Sequence, residues 1–400
     1  MDIHNHSLEL QKSLASLSKR TDLSEKNRVL IRKFVESLIV QNYSKPRVIK
    51  YIDTAMRVAR LFKKDYELWA SDDIQQYLAA VHNQSHSPWT IQWYKVFIRR
   101  LMQYIHNMSG KDYPELVAKI KVHVPDNLRR LPNDGELLTA DEISRIITCC
   151  KNSRDRAFIA ALSESGCRIG ELGNMALKHI KFDQYGGVLS VTGKTGARQV
   201  RVIHATPYLA AWLHDHPLKN NKESPLWVQI ESKAHRQVGY QRWRQLLMEL
   251  GKQASVEKRV NPHSFRHARA THLANHMTSF QMNQYLGWKQ GSEMPSTYIH
   301  LSGKNTDNAL LKMYGLETKD EKADDMKPLK CTRCDSINPH GAQFCVKCGM
   351  VLSEVAAAEI DENVKLAQQE QAFGAKAMSQ LLKDPEVLEL LKKKLTQVTA

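Results

Sequence analysis

Residues 262–273 read PHSFRHARATHL, and residues 286–303 read LGWKQGSEMPSTYIHLSG. Upstream stand SESGCRIGEL at 163–172 and GKTGARQVRV at 193–202. Each stretch alone has a plain explanation. Arg168 reads as a surface arginine at a helix start, and Lys194 as a hairpin-turn lysine. His263 and Arg266, one helical turn apart, read as a solvated pair, and Tyr298 as a packed ring with a hydrogen-bonded hydroxyl. What carries information is the order in which the four stretches occur.

Around them the pattern is mainly α with one small β-sheet. Residues 1–23 are polar and are expected to form a flexible N-terminus, frayed or loosely helical. Residues 24–110 carry apolar positions at three- and four-residue intervals (Leu30, Ile31, Phe34, Val35, Leu38, then Ile52, Ala55, Val58, Ala59, Phe62), which predicts a compact helical domain. Residues 111–136, with Pro114, Pro125, Pro132 and Gly135, read as a linker. A second domain spans 137–316. It opens on a capping box, Thr139 with Glu142, and holds a hairpin where VLSVTG and ARQVRVI flank a turn. Residues 317–328 are a charged linker and 329–352 a cysteine module. Residues 353–400 suit amphipathic helices interrupted near Pro385, with apolar positions that include Leu366, Phe373, Met378, Leu382, Leu390, Leu391 and Leu395.

The chain has 400 residues, a formal net charge of +16 and a hydrophobic fraction of 42%. That excess of positive charge points to a polyanion, nucleic acid before an anionic membrane surface. No apolar run reaches membrane-spanning length and the N-terminus shows no signal-peptide pattern, so the expected location is the cytoplasm. Of the seven cysteines, Cys149, Cys150 and Cys167 read as reduced core thiols. Cys331-x-x-Cys334 and Cys345-x-x-Cys348 have the spacing of a closed, structural zinc ribbon, with Gly349 at a turn that favours positive φ. A redox dithiol pair and an iron–sulfur centre are the competing readings.

In their order, the four motifs resemble the catalytic domain of the tyrosine recombinases, the phage integrase family. The likeness covers about residues 24–315, and the zinc-ribbon tail resembles archaeal members. It implies a helical, SAM-like core-binding domain followed by an α+β catalytic domain. Matched one by one, the family's catalytic positions fall on Arg168, Lys194, His263, Arg266, Trp288 and Tyr298, with Glu171 in support. Arg198 and Arg201 lie close to Lys194 and compete for its assignment. Trp288 stands where most members have histidine. Tyr298 follows it by one position more than the usual spacing, with Gly291 and Pro295 between.

The chemistry implied needs these residue types. Attack by a phenolate on a DNA phosphodiester builds negative charge on the nonbridging oxygens, which two forked guanidiniums stabilise. Trp288 offers one indole N–H and a packing surface. His263 is suited to accept the Tyr298 proton or to donate to the phosphate, and Glu171 to fix its tautomer or an arginine's pose. Lys194 is placed to protonate the departing 5′-oxygen. Cationic neighbours are expected to help Tyr298 ionise. The product is a 3′-phosphotyrosine. The resemblance implies double-stranded DNA as partner, a tetramer on paired sites, and neither a catalytic metal nor ATP. Two other functions fit the same fold: a DNA-binding regulator without chemistry, and a topoisomerase-like strand relaxer.

Overall fold

In the first of two units, four helices follow the apolar periodicity closely: α2 (Glu25–Val40), α3 (Lys45–Phe62), α4 (Ser71–Asn83) and α5 (Pro88–Ile105). Ser24 and Ser87 cap α2 and α5 by accepting from Asn27 N and Thr90 N. At the start of α4 the Asp73 carboxylate accepts from the Ala70 N–H at 2.7 Å. Phe34, Tyr51, Tyr77 and Phe97 form the aromatic centre of one apolar core. The architecture is that of a computed structural model, which describes residues 2–125, 128, 134–301, 310–311, 313–316, 329–338, 342–345, 348–381, 383, 385 and 387.

Within the stretch 1–23, expected to be frayed or loosely helical, the structure holds a hook and a regular helix. His6–Lys19 forms a helix, α1, which buries Leu17 and packs against α3. Ahead of it, Asp2 to Asn5 make a hook. The Asp2 carboxylate accepts from the backbone of His4 and of His6, both at 3.0 Å. Ile3 is buried; its N–H donates to Asn174 Oδ1 at 2.8 Å and its carbonyl accepts from Tyr240 N at 2.9 Å. A Cβ on Gly173 would stand 2.7 Å from Ile3 Cδ1, so the hook needs glycine there. One isoleucine among polar residues has no periodicity, and its partners lie far along the chain, so sequence pattern gives no sign of it.

The hook also explains how the chain divides. The first unit takes in Met1–Leu137 together with Ile169–Met175 and Pro225–Met248; the second takes in Leu138–Arg168, Ala176–Ser224 and the described residues from Glu249 onward. Two stretches read as part of 137–316 are thus grouped with the N-terminal helices, through Asn174 and Tyr240.

The second unit is built round α8 (Ser153–Ser165), nearly all of whose residues are buried. Against it pack α7 (Ala140–Thr148), α10 (Thr206–Asp215) and α12 (Pro262–Ala274). The expected capping box of α7 is formed by Thr139 and Glu142. The strands β1 (Ile180–Asp183), β2 (Gly186–Gly193) and β3 (Gly196–Val202) make an antiparallel sheet in that order, with Gly193 opposite Gly196 and Lys194-Thr195 as its turn. β3 packs on α8 and on α13 (Ser279–Leu286). Buried Glu164 ties these together: its carboxylate accepts from the N–H groups of Ile203, His204 and Ala205, at the start of α10. Cys150 and Cys167 are buried thiols, as expected.

The fold class is therefore mainly α with a small sheet, as the sequence indicated. Beyond the catalytic motifs come a two-stranded ribbon, Leu329–Lys330 with Ile337–Asn338, and a C-terminal helix, Glu354–Leu381. Leu366, Phe373 and Met378 are exposed on that helix. The charged linker 317–328 and the apolar positions Leu382, Leu390, Leu391 and Leu395 lie outside the described residues.

Candidate active site

Two helix ends make the frame of the site. α8 stops at Gly166 (φ 58) and α13 at Gly287 (φ 64), both left-handed caps. At Gly287 a side chain is doubly excluded, since a Cβ would meet the Arg198 guanidinium at 2.5 Å. Helix C-termini leave carbonyls without intrahelical donors and carry partial negative charge. Guanidinium groups take up those carbonyls here. Arg266, buried on α12, donates from Nη1 to Gly166 O and from Nη2 to Leu286 O, both at 2.7 Å. The next carbonyl, Gly287 O, accepts from Arg168 Nη1 at 3.3 Å and from Thr195 Oγ1 at 3.2 Å. The two arginines are thus seated on consecutive carbonyls, and the hairpin tip touches the second of them. Lys194, beside Thr195, is exposed.

α12 begins at Asn261, whose side chain accepts from His263 N and Ser264 N, with Pro262 in the first turn. His263, Arg266 and His267 then share a helix face. Desolvation, followed by the charges of Arg266, Arg168 and Arg259, pushes the His263 pKa below its ordinary value. Its imidazole is accordingly neutral at neutral pH.

Tyr298 sits in α14 (Met294–Leu301) and is 2% exposed. The extra residue between Trp288 and Tyr298 is taken up in the loop: Gly291 adopts φ 76, and Pro295 lies in the first turn of α14. The Trp288 ring stacks on the Tyr298 ring at 5.5 Å and 11°, and Arg266 Cζ lies 5.3 Å from the Trp288 ring centre. Tyr298 Oη is 2.8 Å from His267 Nδ1.

Two expectations change on this geometry. Cationic neighbours do not dominate the phenol: burial raises the Tyr298 pKa, and Arg266 opposes that with the smaller effect. The imidazole in contact with the phenol belongs to His267, while His263 stands a turn away, its ring 6.4 Å from that of His267. Of the seven positions singled out, Arg168, Lys194, His263, Arg266, Trp288 and Tyr298 fall in the second unit. Glu171 is buried on α9 (Ile169–Gly173), in the first.

The model of the phage integrase family matches residues 136–305. The match takes in all four motifs and every candidate position from Arg168 to Tyr298. Tyrosine recombinase XerA of Pyrococcus horikoshii is 24% identical over 294 residues, covering 73% of this chain and 96% of the relative. XerD of Shewanella oneidensis is 24% identical over 240 residues, covering 58% and 76%. Among solved structures, XerH site-specific recombinase bound to palindromic difH substrate, a post-cleavage complex, aligns with TM-score 0.55 at 15% identity, over 78% of this chain and 97% of that one. A lambda integrase tetramer bound to a Holliday junction aligns with TM-score 0.51 at 14% identity, over 66% and 78%. At these identities the structural likeness speaks for the fold.

Outside the phage integrase match, the four C-terminal cysteines converge. Their sulfurs lie within 4.8 Å of one another, with Cys331–Cys348 and Cys334–Cys345 each at 3.6 Å. Four thiolates about 2.3 Å from one tetrahedral ion would stand roughly 3.8 Å apart, so a metal ion fits. In both CxxC turns the next residue is left-handed, Asp335 (φ 55) and Gly349 (φ 70), and donates to the first cysteine's carbonyl at 2.9 Å.

The residue at this site that sequence reading missed is His267. Its spacing from His263, four residues along one helix, was the available signal. Which of two histidines meets the tyrosine depends on how α14 arrives, and that is a matter of tertiary structure.

Proposed function

We propose that the chain is a site-specific DNA recombinase that cuts and rejoins DNA through a 3′-phosphotyrosyl bond at Tyr298. The observation that carries this reading is the seating of Arg168 and Arg266 on consecutive carbonyls, beside a tyrosine packed under Trp288. Each guanidinium is oriented by backbone carbonyls at the ends of α8 and α13. A bound phosphodiester would take its nonbridging oxygens to these two groups. His263 would donate to the same phosphate, and Lys194 would deliver a proton to the leaving 5′-oxygen. Glu171 would support the region from α9. Residues 24–110 and residues 137–316 would both hold the duplex, chiefly through phosphates, so binding would weaken steeply with salt. Supported by the DNA-bound, oligomeric neighbours, the working unit is a tetramer on paired sites. Cys331, Cys334, Cys345 and Cys348 would hold one structural zinc, detectable as one ion per chain and lost in Cys331→Ser.

The test begins with nicked duplexes of random sequence. DNA trapped covalently on the protein is sequenced, and the recovered sequence is placed on two labelled fragments. Exchange of labelled arms is expected. Relaxation of supercoils without exchange would favour a strand relaxer, and binding without adduct would favour a regulator.

A further inference from the structure

We propose that His267, rather than His263, takes the proton from Tyr298 when the phenol attacks phosphorus. This rests on the recombinase reading above. His267 Nδ1 is 2.8 Å from Tyr298 Oη, within direct transfer distance. The rings stand 5.8 Å apart at 34°, so the phenol oxygen meets the imidazole edge. In the tautomer that carries its hydrogen on Nε2, Nδ1 accepts from the phenol.

A buried phenol needs such a partner. Burial pushes the Tyr298 pKa above its ordinary value, and Arg266 offsets this only in part. The groups facing His267 are His263 and Arg266 on its own helix and Tyr298 on α14. Desolvation first, then the charges of His263 and Arg266, hold the His267 pKa below its ordinary value. The imidazole is therefore uncharged near neutral pH and ready to accept.

The step balances. The Tyr298 O–H proton passes to His267, the phenol oxygen bonds to phosphorus, and the bond from phosphorus to the 5′-oxygen breaks. The 5′-oxygen takes its proton from a separate donor, Lys194 in the reading above. On rejoining, a 5′-hydroxyl attacks the phosphotyrosine, and the His267 imidazolium returns its proton to Tyr298. His263 is left for the phosphate.

The assignment is tested by single-turnover adduct formation on a nicked duplex carrying the recovered site. His267→Ala and His267→Asn are expected to slow cleavage by roughly 10²–10⁴-fold, with duplex affinity within about threefold of wild type and with rescue by added imidazole. The wild-type rate should be full above the His267 pKa and fall as pH drops through it, because the protonated ring cannot accept. His263→Asn should keep that acid limb and His267→Asn should lose it. Cleavage by His267→Asn within about threefold of wild type overturns the assignment, as does a wild-type rate with no acid limb down to the lowest pH at which the protein stays folded. Should His267→Ala not fold, the acid limb of wild type and of His263→Asn still decides. Absence of any adduct from wild type would overturn the recombinase reading together with this one, whereas the other negative results overturn this one alone.

Discussion

The cradle at the ends of α8 and α13 and the tip of the β2–β3 hairpin contribute to the same site under different physical terms. In the cradle, Arg266 is buried and bonded to two helix-end carbonyls, and Tyr298 is closed between Trp288 and His267. These groups are part of the core, so catalysis and stability are bound together there. At the tip, Lys194 is exposed, and its neighbour Thr195 touches Gly287 O through one hydrogen bond. The contrast is between guanidiniums fixed by folding and a lysine carried on a surface turn.

Five substitutions, at four positions, sharpen or break that contrast. Tyr298→Phe should abolish the covalent adduct entirely while costing only about 1 kcal/mol in urea denaturation, the worth of one hydrogen bond. Arg266→Ala should suppress cleavage and also destabilise the fold by about 3–5 kcal/mol, since buried carbonyls lose a charged donor. Arg266→Lys should not recover either property, because an ammonium cannot span both carbonyls. Lys194→Ala should slow cleavage by roughly 10²–10³-fold and leave the denaturation midpoint unchanged within about 0.5 kcal/mol. A substrate with a 5′-thiol leaving group, which needs no proton, should restore its rate. Thr195→Val should give the smallest effect, a loss of roughly 2–10-fold in rate without change in stability. If Arg266→Ala proved as stable as wild type, or Lys194→Ala unfolded the protein, the contrast would fail.

Much of this was legible in the sequence because it depends on local rules. The periodicity of Leu30 to Phe62, the Thr139–Glu142 capping box and the hairpin turn at Lys194-Thr195 are all short-range patterns, and each appears where those rules put it. Motif order brought Arg168, Arg266, Trp288 and Tyr298 into view before any geometry. What escaped was long-range. Ile3 hooks onto Asn174 and Tyr240 with no pattern to announce it. β1 is four residues long with one buried position, too little for an alternation to register. The net rise of the Tyr298 pKa was not legible, because cationic neighbours are visible in sequence and burial is not. His267 was quoted only as a flanking residue, since helical spacing brings it and His263 to one face and α14 alone selects between them.

The most direct test of the central claim is mass spectrometry of the peptide that remains linked to DNA after trapping and digestion. The arrangement of Arg168, Arg266, Trp288 and Tyr298 predicts a nucleotide 3′-phosphate on Tyr298, within the peptide that contains Met294 to Leu301. Linkage to any other residue, or recovery of cut DNA with no attached peptide, would contradict it.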